Sequence, residues 1–126
     1  MELIKLEYFD ALNNNEKKEL TFSKDLLKKP YNEKSLFVSC VEGKSMQPLI
    51  NDRALVISDL SNKVLLENSI YLINKDGNMW IKMAKKDKTN EDKFIFVSVN
   101  NDFSHLIYKE DDVHIIAKTL FTFTNL

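Results

Sequence analysis

The chain is poor in the residues that build disulfides, metal sites and charged binding surfaces. It has one cysteine, Cys40, and two histidines, His105 and His114, among 126 residues. A single cysteine cannot form an internal disulfide, and these three side chains have no metal-ligand spacing. The 18 basic and 19 acidic residues leave a net charge of -1, so the sequence lacks the excess of positive charge that binds a phosphate backbone or an anionic membrane. We therefore expect no metal, no cofactor and no direct nucleic-acid contact.

Long apolar runs and a targeting segment are also missing. A helix needs roughly 20 consecutive apolar residues to cross a bilayer, and no run approaches that length. The amino terminus, MELIKLEYFD, lacks the basic start and apolar stretch of a secretory signal. We expect a soluble, cytoplasmic protein with no membrane partner. Its 126 residues suit a single domain, with an amino-terminal arm and loop over residues 1–35 and a core over residues 36–126.

What the sequence does contain is a series of short alternating segments separated by polar residues. Alternation of apolar and polar side chains is typical of half-buried strands. The predicted strands cover residues 3–9, 36–41, 53–58, 70–74, 78–84, 94–99 and 113–123. Asp76 and Gly77, between two apolar runs, predict a tight hairpin. The expected fold class is a mainly β domain with one short helix.

Three segments are expected to lie outside the sheet. Ser23 is predicted to cap the one short helix, over residues 25–29, which Pro30 ends. The polar stretch over residues 13–19 (NNNEKKE) is predicted to be a mobile loop, and residues 85–93 a polar link between strands. The arm is thus expected to hold one strand, one loop and one helix.

One Gly, one Ser and one Pro crowd into the stretch VEGKSMQPLINDRALVI, between two predicted strands. Residues 43–48 should form a tight corner there. A corner can hold out a reactive hydroxyl and converging backbone N–H groups, so Ser45 is a candidate nucleophile. The alternative is a turn serine that hydrogen-bonds its own backbone, which is the commoner role.

Lys82 is the second candidate, in the middle of the predicted strand over residues 78–84. Alternation places it on one face with Trp80 and Ala84, opposite three apolar residues. On that pattern alone, a solvent-facing lysine on a one-sided sheet is the favoured interpretation. The pattern by itself therefore does not make Lys82 a catalytic group.

The segment VEGKSMQPLINDRALVISD resembles the active-site corner of LexA, UmuD and lambda-type phage repressors, the self-cleaving Ser/Lys peptidases related to signal peptidases. In that family a strand ends in Gly-x-Ser-Met-x-Pro, matched here by Gly43, Ser45, Met46 and Pro48. The family's lysine stands on a later strand after a hairpin, matched by Lys82 within WIKM. Further on, VSVNNDF resembles the family's Ser-x-Asn-x-x-aromatic segment, and EDDVHIIAKTLF its closing strand.

The resemblance implies a LexA/signal-peptidase-like fold and a Ser/Lys dyad. Ser45 would attack a peptide carbonyl, with Lys82 as base and then as proton donor to the leaving amine. Lysine can do this only when neutral, so its pKa must fall from about 10.4 to roughly 7–8, which burial beside apolar groups can cause. The backbone N–H groups of Lys44 and Ser45 are the predicted oxyanion site.

The chain departs from the family at three points. Lys44 precedes the serine, where the family often has Asp, Asn or Met, and brings a second cation near the base. Residues 51–53 (NDR) replace Asp-Gly-Asp, and the Asn or Asp is expected to accept the left-handed turn. Self-cleaving members cut an Ala-Gly or Cys-Gly bond, whereas the two glycines here follow Glu42 and Asp76. Self-cleavage is therefore not expected.

Two classes of function stay open. The first, implied by the resemblance, is the carboxyl-terminal peptidase and dimerisation domain of a LexA-like or phage-repressor-like transcriptional regulator, as in the SOS response. The second is a non-catalytic interaction module with the same fold; a stand-alone peptidase acting on another protein is a further variant. The arm before the first core strand is too short for a helix-turn-helix domain, so DNA is expected only through a domain outside this chain.

Assembly is predicted from the closing strand over residues 113–123. Both of its faces carry apolar side chains, so Ile116 and Leu120 need cover as well as the core-facing residues. A strand at the end of a chain is often an edge, and in the family this end helps to form a two-fold dimer. We expect a homodimer. The alternative is that the strand over residues 3–9 covers this edge within one molecule.

Overall fold

Short antiparallel strands make up most of the fold in the computed structural model, which describes residues 2–10 and 13–123. The ends of the predicted arm and core, residues 1 and 124–126, lie outside it, as do residues 11–12. The strands described are Leu3–Asp10 (β1), Glu16–Ser23 (β2), Leu36–Cys40 (β3), Leu55–Asp59 (β4), Ile70–Lys75 (β5), Asn78–Asp87 (β6), Asn90–Val97 (β7), Tyr108–Lys109 (β8) and His114–Phe123 (β9). With 52% strand and 10% helix, the mainly β class is confirmed.

The helical residues in these ranges lie in three-residue 3-10 turns: Lys24–Leu26, Glu33–Ser35, Asn101–Phe103 and Glu110–Asp112. The hydroxyl of Ser23 accepts a hydrogen bond from the amide of Asp25 at 3.2 Å, which confirms the predicted cap. The turn that follows is shorter than the helix predicted over residues 25–29. Nothing helical in the described ranges is long and apolar enough to cross a membrane.

Seven strands form one sheet, and the first two form a separate hairpin. The sheet order is β3-β4-β9-β5-β6-β7-β8, with every neighbouring pair antiparallel. The closing strand β9 is therefore internal, between β4 and β5, and the expectation that it lies at an edge is wrong. Its two neighbours come from distant parts of the chain, and such pairing is invisible to a local pattern. The predicted homodimer consequently loses the open edge on which it was argued.

The amino-terminal hairpin corrects a second prediction, because residues 16–19 belong to β2 and not to a mobile loop. Charged residues pair across the two strands: Lys17 lies 3.1 Å from Glu7, and Lys5 lies 3.4 Å from Glu19. These pairs are exposed, so each contributes about 0–1 kcal/mol at most. The charged run looked like a loop because its partner strand supplies the opposite charges from elsewhere in the sequence.

The inner face of this hairpin attaches it to the large sheet. It contributes to a buried cluster formed by Ile4, Phe22, Leu27, Leu36 and Ile57. Leu120 of β9 packs against the same cluster. One of the two side chains expected to need a dimer partner is thus covered within the molecule, by a packed face and not by strand pairing.

Two further hairpins lead to and from β6. Asp76 and Gly77 have positive φ angles of 52° and 85°, so the predicted tight turn is confirmed. Residues 85–93, predicted to be a polar link, instead extend β6 to Asp87 and begin β7 at Asn90. The carboxylate of Asp87 accepts hydrogen bonds from the amide and hydroxyl of Thr89, at 3.0 and 2.8 Å, and closes that turn. β6 is therefore paired on both sides, with β5 and with β7.

The corner between β3 and β4 contains two left-handed residues. Gly43 has a φ of 103° and Arg53 a φ of 69°. The expectation that an Asn or Asp at 51–52 would take the left-handed turn is wrong, since the exposed Arg53 takes it. A side chain with a Cβ is strained in this conformation, at a cost of about 1–2 kcal/mol.

We expect Arg53→Gly to raise the free energy of unfolding by about 0.5–1 kcal/mol, because removing the Cβ relieves more strain than the added flexibility of the unfolded chain costs. Urea denaturation measures it. Arg53→Ala is the matched control, since it removes the charge and the long side chain but keeps the Cβ, and it should give no gain. Equal stability of the Gly and Ala variants would contradict a strained Arg53.

Candidate functional site

The corner that carries Ser45 is fastened to β4 by backbone hydrogen bonds. The amide of Val41 donates to the carbonyl of Ala54, and the amide of Arg53 donates to the carbonyl of Val41, both at 2.8 Å. The amide of Gly43 donates to the carboxylate of Asp52 at 2.8 Å. A buried apolar cluster anchors the corner from beneath; it consists of Val41, Met46, Ile50, Ala54 and Val56, with Ile81 and Met83 of β6 packed against it. The corner is thus fixed relative to β6.

Ser45 lies in this corner, half-buried, at the wall of a cleft. The side chain of the next residue, Met46, is 2% exposed, so the backbone on one side of the serine is tied to the core. In the part of the chain that the structure describes, the backbone N–H groups of Lys44 and Ser45 donate to no acceptor. Two neighbouring free amides next to a hydroxyl are the arrangement an oxyanion site requires.

Asn100 holds the two carbonyls of the same residues. Its backbone amide donates to the carbonyl of Ser45, and its side-chain amide donates to the carbonyl of Lys44, each at 2.9 Å. With the carbonyls occupied, the orientation of the peptide planes around the serine is fixed. Asn100 is therefore a positioning residue for the corner.

Lys82 is fully buried in β6, with 0% of its surface exposed. Its amine donates to the hydroxyl of Ser98 at 2.7 Å and lies 5.2 Å from the centre of the Trp80 ring. Burial lowers the pKa of the Lys82 amine from 10.5 to about 8, because the charged form loses its hydration. The solvent-facing interpretation of Lys82 is wrong. Tertiary packing covers a face of β6 that alternation alone assigns to water.

Ser45 and Lys82 are both bound to one short segment of the chain. Ser98 accepts the lysine amine, and two residues later Asn100 holds the serine carbonyl. The structure thus brings the two predicted catalytic residues to the same neighbourhood. Among the described residues, however, no hydrogen bond joins the Ser45 hydroxyl to the Lys82 amine, so the dyad itself stays a prediction.

The cleft beside Ser45 has a volume of about 490 Å³. Most of the side chains lining it are apolar, and the charged ones are Glu42 and Lys44; the apolar lining residues are Val41, Met46, Leu72, Met79, Trp80, Ile81 and Phe103. A cleft of this size and composition suits an organic ligand or part of a peptide. Within the described ranges, no cluster of three or more His, Cys, Asp or Glu side chains could hold a metal ion.

Sequence reasoning assigned no role to Ser98, Asn100 or Phe103. The signal was present in VSVNNDF, where these are the serine, asparagine and aromatic residue of the Ser-x-Asn-x-x-aromatic pattern. The structure gives each a function: Ser98 accepts the lysine amine, Asn100 holds the corner, and Phe103 lines the cleft. Only the spatial neighbours of each side chain could reveal this.

The chain also matches a known protein family. A family model described as Peptidase S24-like matches residues 7–120, a range that contains the corner, Lys82 and the segment from Ser98 to Phe103. The resemblance predicted from the corner motif is thereby confirmed. No curated protein matches the chain.

Replacing the buried lysine should stabilise the protein in a pH-dependent way. Its pKa is 10.5 in the unfolded chain and about 8 in the folded one, so between these values the unfolded state binds more protons. The stability of the native protein relative to Lys82→Met should therefore rise by about 3 kcal/mol as pH increases from 7 to 10.5. At neutral pH the Met variant has the advantage that the cost of burying a cation is gone.

Urea denaturation of both proteins at pH 7 and pH 10.5 measures this difference. Lys86→Met, which changes an exposed lysine of the same strand, is the control and should not reproduce it. If the difference in the free energy of unfolding between Lys82→Met and the native protein does not change with pH, the pKa of Lys82 is the same in the folded and unfolded chain.

Proposed function

Because the chain belongs to the Peptidase S24-like family, we propose that it is a serine endopeptidase domain with Ser45 as nucleophile and Lys82 as general base. One observation supports this above all: Lys82, which has no exposed surface, and Ser45 are both hydrogen-bonded to the same three-residue segment, Ser98 to Asn100. With a pKa of about 8, the buried amine is neutral in about a tenth of the molecules at pH 7, far more often than a lysine with the ordinary pKa of 10.5, and the neutral form is the one that a base requires.

The hydrogen bond to Ser98 suits this role. A neutral amine has two N–H groups and one lone pair, and Ser98 accepts one of the N–H groups. The lone pair is then free to take a proton from the Ser45 hydroxyl. Ser98 acts as a positioning residue for the base, and the indole of Trp80 limits the access of water to it.

The reaction proceeds in two halves. The Ser45 oxygen attacks a peptide carbonyl carbon while its proton moves to the Lys82 amine, and the negative oxygen that forms is bound by the N–H groups of Lys44 and Ser45. The carbon–nitrogen bond then breaks, and Lys82 returns the proton to the leaving amine. Water repeats the attack on the acyl ester with Lys82 again as base, which releases the acid and restores Ser45.

A fluorophosphonate probe that labels activated serines should react at Ser45. The rate is expected to rise with pH through a midpoint near 8, as Lys82 loses its proton. Ser45→Ala should abolish labelling, and Lys82→Met should slow it by about 100-fold or more. Mass spectrometry of the labelled peptide identifies the site, and Ser39→Ala, which replaces another serine of the cleft lining, is the control that should label normally.

A non-catalytic interaction module is the second candidate. It is favoured by one feature of the described residues, namely that the Lys82 amine bonds to Ser98 while no hydrogen bond links it to Ser45. In that case Lys82 is only a buried structural residue, and Ser45 is a turn serine. Absence of labelling at pH 9 in a folded protein would support this candidate and contradict the peptidase.

The cellular role is proposed from the family alone: the domain belongs to a transcriptional regulator of the LexA or phage-repressor type and forms a homodimer. DNA would then be contacted through a domain outside this chain. Light scattering at micromolar concentration should give the mass of two chains. A mass of one chain up to about 100 μM would contradict the dimer, since a stable dimer has a dissociation constant well below that.

Self-cleavage is not part of the proposed function. The chain lacks an Ala-Gly or Cys-Gly bond, and the polar residues upstream of the corner start a charged strand, β2, that is paired with β1. Moving charged residues into an apolar cleft would be costly. The purified chain should therefore stay intact during incubation at pH 10, as judged by intact-mass spectrometry. A defined internal break that Ser45→Ala prevents would show that the chain does cut itself.

A further inference from the structure

Trp80 forms a fixed wall of the cleft beside Ser45. Its ring lies 6.0 Å from the ring of Tyr108 and 5.2 Å from the amine of Lys82, so it is held from two sides. Part of its surface stays open, and it lines the cleft next to Met79, which is 57% exposed. An indole that is already held in place loses little conformational entropy when a ligand packs on it.

Other parts of the cleft lining are apolar as well. Phe103 lines it from the segment that follows Asn100, and Leu72 and Ile81 contribute from β5 and β6. The charged residues of the cleft, Glu42 and Lys44, are exposed and lie on either side of Gly43 in the corner. A ligand group that reaches the indole therefore meets hydrocarbon and aromatic surface.

We propose that Trp80 is the specificity-determining residue of this site and selects peptides that place a large apolar side chain, such as leucine or phenylalanine, in the cleft beside Ser45. The inference rests on the proposed peptidase function, because it takes the occupant of the cleft to be a peptide. A cleft of about 490 Å³ has room for such a side chain together with the neighbouring backbone.

The choice of side chain follows from what each candidate leaves exposed or buried. An alanine would leave most of the indole, Met79 and Phe103 in contact with water. A carboxylate would lose hydration without a partner on the apolar wall. A leucine or phenylalanine removes this surface from water, and a few methylene groups in an apolar pocket distinguish ligands by about tenfold or more.

Binding can be tested without catalysis by using Ser45→Ala and the one cysteine of the chain. Cys40 is half-buried and lines the cleft, so a bound peptide should slow its alkylation by iodoacetamide. The probes are acetylated, amidated nonapeptides of serine and glycine with one central residue that is Leu, Phe, Ala or Glu. We expect the Leu and Phe peptides to protect Cys40 at concentrations about tenfold or more below those needed for the Ala peptide, and the Glu peptide to protect least.

Trp80→Ala in the Ser45→Ala background should reduce the preference for Leu over Ala to about threefold or less. If that variant does not fold, Trp80→Phe must lower the preference measurably, because the smaller ring covers less of the ligand. Val64→Ala, which removes part of an exposed apolar side chain outside the cleft lining, is the control and should leave the preference intact. Equal protection by all four peptides, protection by none, or a preference that survives loss of the indole overturns the proposal.

The outcome is separable from that of the proposed reaction. Selective protection of Cys40 without fluorophosphonate labelling of the native protein would leave the Trp80 assignment standing and remove the peptidase. Fluorophosphonate labelling without selective protection of Cys40 would support the peptidase and overturn the Trp80 assignment.

Discussion

The burial of one amine, that of Lys82, is the constraint on which the rest of the site depends. A lysine without exposed surface cannot be hydrated, so it needs a hydrogen-bond partner, and Ser98 supplies one at 2.7 Å. The same burial lowers the pKa of this amine to about 8, so Lys82 can exchange protons near neutral pH, whereas an exposed lysine stays charged. An isolated buried ammonium is unfavourable, and keeping such a residue costs stability that an apolar side chain would not cost. This loss of stability is understandable if the amine takes part in a reaction.

The backbone around Ser45 is held in place and, within the part of the chain that the structure describes, leaves two amide groups free beside the hydroxyl. Asn100 occupies the carbonyls of Lys44 and Ser45, and the cluster beneath Met46 fixes the corner to β6, the strand that also carries Lys82. In the described residues, the amides of Lys44 and Ser45 remain without acceptors. The corner and Lys82 are thus positioned by the same few strands, so a shift of β6 or of the segment from Ser98 to Asn100 would disturb both together.

Local patterns in the sequence predict the parts of this fold that depend on neighbouring residues. The alternating core strands, the Asp76–Gly77 turn, the Ser23 cap and the corner at residues 43–48 follow from short-range rules. Three features did not, because each depends on pairing or packing with another element that the pattern of a single segment does not show. β2 is a strand since β1 supplies complementary charges and a shared apolar face, β9 is internal since β4 and β5 pair with both of its sides, and Lys82 is buried since other elements cover its face of β6. The left-handed turn of the corner was predicted at Asn51 or Asp52, but Arg53 adopts it, although this conformation is unfavourable for an arginine.

The protonation equilibrium of Lys82 can be measured directly by NMR, following the ¹³Cε and ¹⁵Nζ shifts of labelled lysine from pH 6 to pH 11, with Lys82→Met to assign the signal. A midpoint near 8 that moves when Ser45 is replaced by alanine is expected if a buried amine shares its environment with the serine hydroxyl. A midpoint at or above 10.5, unchanged in Ser45→Ala, would show a hydrated cation with no connection to Ser45 and would contradict the assignment of Lys82 as the base.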